Sequence, residues 1–533
     1  MLSFLQKHHR HIHGVLSGFD RLVFHGLLRP LLFVQGMMGY LWRAKVLLKH
    51  FGDHAHAMTQ QLKTASLLLA QNTGREIRYL PSSETCKEDV AQDIAQRDGI
   101  QQGLIGVLTC VEPCLSYDIF KNRETFKLEL QQRPRKCLHL YHYQIHPEFG
   151  FIHARIQTWF PFSIQVYLNG REWLARQMDR AGISYRRRDN CFTWIEDLPA
   201  AQSLCLQQLR TDFPQVLNAI AHDLNPAHEP MFASSPMGYT WYVHQSEWAT
   251  DVLFRSRAAL EAVYPRFLRH ALLAFGPGDI LRFFGRKIPE SGQVPARFAG
   301  EIITDVKERS EGYRIKHYVN DNSLKLYDKG SVLRPEMTIN DPTAFTVQRP
   351  KEGDPMGPEA PRPLRKSLED LTRRAEVCQA ANERYLEALA AVTDETPLRE
   401  LVEPLAQRVT LPAQEKKNGR GRTKERQVRA LNPWAGEDAA LLQAVAHPKY
   451  LQNGLRNRDL VGALYQKEAL SKEEQRRRSA QITRKLSLLR AHGIITKVPR
   501  THRYQVTEKG RQILTALLAV REANTDFLTS KAG

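Results

Sequence analysis

A membrane-spanning segment is the first thing this sequence lacks. Its most apolar stretch, Leu27 to Leu48, is interrupted by Arg29, Arg43 and Lys45, whereas a spanning helix needs about 20 predominantly apolar residues. The N-terminus, MLSFLQKHHRHIHG, is positively charged but has no apolar core leading to a small-residue cleavage site. No secretory leader is read there, and a cytoplasmic location without a membrane partner is expected. Cysteine is sparse and odd in number: Cys86, Cys110, Cys114, Cys137, Cys191, Cys205 and Cys378 are scattered along the chain. That pattern excludes a disulfide framework and suits reduced thiols. The chain has no GxxxxGK followed by Ser or Thr, no GxGxxG after a strand and no GxSxG. Nucleotide-driven motors, dehydrogenases and α/β-hydrolases therefore drop away.

Metal-binding histidine patterns are missing too. His9, His11 and His13 sit in a basic N-terminal tail, and His54 and His56 in a helical context. On strands, His139 and His142 are three apart and face opposite sides; His142 and His146, four apart, share a face. Cys110 and Cys114 have no second pair at zinc-finger spacing, so no histidine- or cysteine-bound metal is expected.

Acid is in short supply. The 533 residues carry 76 Lys+Arg against 57 Asp+Glu, a formal charge of +19. Such an excess speaks to partners, and nucleic acid leads because Lys and Arg neutralising phosphates supply most non-specific affinity. At 42% hydrophobic and 25% charged the chain is globular, and its length suits several domains.

Composition divides the chain into 1–350, a mixed α+β body; 351–411, a Pro-rich segment and helical connector; 412–431, a basic linker; and 432–533. In the body, a strand over Val15–Leu28 precedes a long helical pattern from about Gln35 to Gln71. CLHLYHYQIH (137–146) and FIHARIQTWF (151–160) form a hairpin about the turn 147–150. FSIQVYLNGREWLARQMDRAG then reads as a strand, an Asn169-Gly170 turn and a helix ending at Gly182. A further pair of strands lies between Tyr313 and Ile339. The aromatics Tyr141, Tyr143, Phe151, Trp159, Phe160 and Phe162 read either as sheet core or as a platform for unpaired bases. The connector helix, 364–391, buries a stripe of Leu368, Leu371, Ala375, Cys378 and Ala381 and leaves Arg373 and Arg374 solvated. Glu415 to Ala430 carries seven Lys or Arg against two Glu, too much charge to order itself by apolar burial.

Residues 433–522 have a distinctive element order. A helix over Glu437–Ala446 turns Leu441, Leu442 and Val445 inward, and a short helix follows over Leu455–Tyr465. A longer one, Lys472–His492, has Ile482, Leu486 and Leu489 on one stripe and stops at Gly493. Strands Ile494–Val498 and Arg503–Val506 then flank a basic tip, and EKGRQILTALLAVRE is a last helix. LRAHGIITKV and RYQVTEKGR resemble the wing region of MarR-type regulators. The resemblance implies a winged helix-turn-helix whose third helix enters the major groove and whose wing rests on the backbone. Arg478, Gln481, Arg484 and Lys485 would then face the groove, and Arg500 and Arg503 would meet phosphate.

In the body, RIKHYVNDNSLKLYDKGSVLRPEMTIND (314–341) alternates as strands. It places Lys316, Lys325, Tyr327, Lys329, Arg334 and Glu336 where they can share one face, with Leu324, Leu326, Val332 and Leu333 packing behind. Tyr is a nucleophile, Lys and Arg stabilise phosphate charge, and a carboxylate holds a metal. LKLYDKGSVLRPEMTIN and GFDRLVF (18–24) resemble strands of the rolling-circle replication initiators of plasmids and filamentous phages. By that resemblance Tyr327 lies beside DNA or is the nucleophile, Arg334, with Lys316, Lys325 and Lys329, binds nucleic acid, and Glu336 supports Mg²⁺ or Mn²⁺.

The fold class expected is an α+β body with an antiparallel sheet, a helical connector and a C-terminal winged helix. The function expected is DNA binding by a replication-initiator-like or mobile-element protein that recognises, and in one reading nicks, specific DNA. A non-enzymatic winged-helix regulator with a sensing or assembly region, and an RNA-binding protein, stay open, as does oligomer formation.

Overall fold

The computed structural model describes the chain apart from residues 290–292, 296–297, 310–311, 355, 391–397, 412–424, 448–449, 451–453, 466–468, 500 and 524–533. Most of the expected linker 412–431, and Arg500, thus lie outside the described residues. The chain forms two compact units, neither of them a continuous segment. The body comprises Gly14–Leu253 and Glu336–Gln379; the C-terminal unit comprises Met1–His13, Phe254–Pro335 and Ala380–Gly533.

The architecture is α+β around mostly antiparallel sheet. In the body the strand order is Thr240–Phe254, Ile12–Leu27, Ile164–Asn169, Gly150–Gln157, Leu128–His146, Gly103–Lys121, Ile77–Tyr79, and Glu336–Ile339 flanks Thr240–Phe254. Pairings from Ile12–Leu27 to Gly103–Lys121 are antiparallel, and the edge strand Ile77–Tyr79 joins in parallel. The expected hairpin is present, with His146 opposite Gly150. Its aromatics are core: Tyr141, Tyr143, Phe160 and Phe162 are buried, which leaves those four rings no free face for a base.

Several expectations are corrected by local chemistry. The long helical pattern after the first strand is two helices, Val34–Arg43 and Phe51–Asn72. Lys45 at φ 56° ends the first, with Val46 N–H donating to Leu41 O and Lys45 N–H to Trp42 O. This is the closure usually signalled by glycine, so a lysine there gave no warning. Asn169 makes no turn but caps the helix Gly170–Ala181, accepting from the amides of Arg171 and Glu172. The pair of strands expected over 313–339 is three: Gly312–Val319, Asn322–Asp328 and Val332–Ile339. The Pro-rich stretch contains a small hairpin, Thr346–Arg349 with Ala360–Pro363. The connector helix runs Leu371–Ala390, and Arg374, expected in solvent, is fully buried. It donates to Ser246 Oγ and to the carbonyls of Ile339 and Val243, acceptors that sequence spacing cannot reveal.

In the C-terminal unit, Ile302–Arg309, Gly312–Val319, Asn322–Asp328 and the start of Val332–Ile339 are sheet neighbours in that order. Further along lie the helix Gly436–Val445, the two-residue strand Leu455–Arg456, and the helices Asn457–Leu464 and Lys472–Ala491. The strands Ile495–Lys497 and Arg503–Val506 and the helix Glu508–Glu522 complete it. Leu455–Arg456, read as helix in the sequence, instead pairs with Arg503–Val506, giving the strand order Leu455–Arg456, Arg503–Val506, Ile495–Lys497. Leu441, Val445, Leu460, Ile482, Leu486, Leu489, Ile494 and Ile513 pack as one cluster. Asn457 Nδ2 ties the short helix to the long one through Ser479 O (2.8 Å) and Thr483 Oγ1 (2.9 Å).

His142, on the body sheet, is fully buried with Nε2 3.1 Å from Ser66 Oγ. Burial pushes its pKa down to about 4. The folded protein therefore keeps it neutral while the unfolded chain, near 6.5, takes up a proton. The unfolded state binds more protons below 6.5, so the stability is intact above that pH and is lost as pH falls towards 4. We expect urea midpoints to fall from pH 7 to pH 5, with His142→Gln removing about 1–2 kcal/mol of that fall. An identical pH dependence in the variant would show that His142 does not contribute.

Candidate functional site

Three neighbouring strands of the body each contribute one acid. Asp20 comes from Ile12–Leu27, Glu247 from Thr240–Phe254 and Glu336 from Val332–Ile339. One carboxylate oxygen from each lies within 4.8 Å of the others. Asp20 and Glu336 are buried and Glu247 is half-buried. Two like charges at such a separation repel by about 3 kcal/mol at an effective dielectric of about 20, so the cluster needs positive charge.

Arginines supply part of it. Arg21 Nε is 3.7 Å from Glu247. Arg171, fully buried, lies 3.9 Å from Asp20 but closer, at 3.0 Å, to a further buried acid, Asp251. Asn190 Nδ2 donates to Asp20 Oδ1 at 2.7 Å. Burial opposes the Arg21 charge, yet Glu247, Tyr167, Glu88 and Asp20 outweigh it and hold the guanidinium above its ordinary pKa. Arg21 also sits over the Tyr167 ring at 5.1 Å, and Tyr167 stacks on His153 with an interplanar angle of 12°. Burial, reinforced by Arg21, Arg155 and Lys87, pushes the His153 pKa down to about 3. The site thus pairs a carboxylate pocket with a fixed cation backed by a ring stack.

Oxygen-only donors from three acids fit a hard cation such as Mg²⁺ or Mn²⁺ and suit softer metals poorly. Of these residues the sequence singled out Glu336, and Asp20 lies inside the GFDRLVF run. Glu247 was missed, although Glu247 and Asp251, four apart in the apolar strand WYVHQSEWATDVLF, are a signal: buried acids on one strand face demand partners.

The other expected residues separate. Lys316 stands opposite Lys325 and Arg314 opposite Tyr327, so Lys316, Lys325 and Tyr327 share a face in the C-terminal unit. Lys316 Nζ lies 4.3 Å from the Tyr318 ring centroid and Lys329 Nζ 5.5 Å from that of half-buried Tyr327. Lys325 and Arg334 are buried, Arg334 at 1% exposure, which makes Arg334 an interior group and not a surface phosphate contact. Leu324, Leu326, Val332 and Leu333 are fully buried, as expected.

On the helix Lys472–Ala491, Arg478 pairs with Glu474 at 2.5 Å and stacks on Tyr465. Gln481 accepts from Tyr465 Oη, and Lys485 pairs with Glu437 at 2.7 Å. Each of these three thus has a partner within the protein, and Gln481 is exposed beside it. Arg484 and Arg503 are exposed. So are Arg476 and Arg477, which the sequence reading passed over, and Arg477, Ala480, Arg484 and Ser487 form a stripe opposite the buried Ile482, Leu486 and Leu489.

If the carboxylates hold a cation, Mn²⁺ should raise the melting temperature of the wild type and leave Glu247→Gln unmoved. Without metal, Glu247→Gln should stay close to wild type in stability, because relief of the repulsion from Asp20 and Glu336 offsets loss of the Arg21 pair. A Glu247→Gln protein that is destabilised without metal and still stabilised by Mn²⁺ would exclude the site. Compared with known proteins, the chain matches no family, no curated protein and no solved structure.

Proposed function

We propose that the protein binds duplex DNA through residues 432–522, acting as a winged helix-turn-helix. The observation that carries this reading is the strand order Leu455–Arg456, Arg503–Val506, Ile495–Lys497 behind a long helix whose outer stripe is Arg477, Ala480, Arg484 and Ser487. Small residues between two arginines let a helix approach base edges while the guanidinia reach guanine or phosphate. Arg503, exposed on the hairpin, would meet the backbone. The +19 charge favours the same partner.

The carboxylate cluster favours the initiator-like or mobile-element reading, in which the protein also nicks its target. A divalent cation at Asp20, Glu247 and Glu336 would supply an activated water and neutralise charge on a phosphodiester. Arg21, held charged beside Glu247, would hold the phosphate. A regulator that senses a small molecule is favoured by a different feature. An open groove of about 600 Å³ in the C-terminal unit is lined by Leu398, Val402, Ala406, Leu431, Pro433 and Trp434 among others.

The test is binding and cleavage of supercoiled plasmid and of labelled strands carrying DNA that flanks the protein's own gene, with Mn²⁺. Arg477→Ala with Arg484→Ala should weaken duplex binding at least tenfold and lower the salt slope by about 2. Glu336→Gln should abolish nicking and leave binding intact. A covalent adduct absent from Tyr327→Phe would assign the attack to that tyrosine, and free ends would assign it to water. Binding without cleavage would leave the regulator, tighter binding to RNA would support the RNA reading, and unchanged duplex binding by the double variant would defeat the winged-helix proposal.

A further inference from the structure

The helix Val34–Arg43 buries Met37, Tyr40 and Leu41 against the body. Tyr40 packs on Phe160 and Phe232 there. Its other face is apolar as well. Val34, Met38 and Trp42, spaced four apart, are 40%, 39% and 81% exposed, and Phe33 and Leu47 on either side are 68% and 62% exposed. A stripe of this size left in water marks an interaction surface.

Charge says what covers it. From Arg21 through Gly52 the sequence contains no Asp or Glu. Arg29, Lys45 and Lys49, all exposed, border the stripe and form no ion pair among the described residues. Arg43 is turned aside to Ser235 Oγ, and His50 meets Asp53 at 3.9 Å. A second copy docked about a two-fold axis would bring this rim against itself, cation to cation. Single-stranded nucleic acid would satisfy the cations and could stack on Phe33 and Trp42, but it would leave the aliphatic Val34, Met38 and Leu47 uncovered. An aliphatic and aromatic ridge framed by lysine and arginine matches a surface that is apolar inside and anionic at its edge.

We propose that this helix is an interfacial anchor that lies on anionic lipid. Val34, Met38, Trp42, Phe33 and Leu47 enter the acyl boundary while Arg29, Lys45 and Lys49 meet headgroup phosphates or carboxylates. A ten-residue helix is too short to span a bilayer but long enough to lie in its surface. The anchor is independent of the DNA-binding helix, which belongs to the other unit.

The test uses the full chain with vesicles of phosphatidylcholine containing about one-third phosphatidylserine, and with pure phosphatidylcholine, each with brominated acyl chains. The protein should sediment with the anionic vesicles, and its tryptophan emission should be quenched. Trp42→Phe should remove most of the quenching and keep the binding. Met38→Ser with Trp42→Ser should weaken binding about tenfold or more with an unchanged circular dichroism spectrum, because both side chains are on the surface. Sedimentation without quenching would mean simple attraction to the basic C-terminal helix and would overturn the anchor. A dimer dissociated by the double serine variant, or Trp42 quenched by a single-stranded oligonucleotide, would overturn it in favour of those partners.

Discussion

Burying charge inside a sheet is the constraint on which this body is organised. Asp20, Asp251, Glu336, Arg171 and Arg374 are all buried, and an ion removed from water is tolerated only where partners replace its hydration. Arg171 meets Asp251 and the Ala249 carbonyl, and Arg374 meets three oxygen acceptors. Asp20, Glu247 and Glu336 add a third instance, three acids gathered together with Arg21 and Arg171 beside them. That crowding gives the group its chemical interest, since like charges brought this close call for positive charge beside them.

The strands carrying those acids are far apart in the chain, and their adjacency comes from crossovers. Ile12–Leu27 lies between Thr240–Phe254 and Ile164–Asn169. The three acids are thus brought together by strand order. Arg21 extends the site towards Tyr167 and His153, so a charged centre merges with a column of rings.

Much of the fold was legible because local periodicity governs it. The hairpin about 147–150, the stripe of Ile482, Leu486 and Leu489, the Gly493 stop at φ 72° and the strand Arg503–Val506 each follow from a pattern a few residues long. Where local signals misled, a non-local partner or an unusual residue was responsible. Lys45 took a left-handed position that glycine usually marks. Leu455–Arg456 became a strand because Arg503–Val506 offered it hydrogen bonds. Arg374 left solvent because buried carbonyls awaited it.

Residue types at the candidate sites were legible in part. The runs around Asp20 and Glu336 stood out because GFDRLVF and LKLYDKGSVLRPEMTIN resemble initiator strands, and the second gathers Lys, Arg, Tyr and Glu in an alternating pattern. Glu247 did not, and neither did the division of labour on the helix Lys472–Ala491, where Arg478, Gln481 and Lys485 turn to Tyr465 and Glu437. By itself the sequence determined composition, charge, most element boundaries and which side chains want water. The tertiary structure alone decided which acids meet, which arginines are interior and which apolar stripe stays uncovered. Those outcomes depend on non-local neighbours, such as Thr240–Phe254 beside Ile12–Leu27, and periodicity along one strand carries no information about its neighbour.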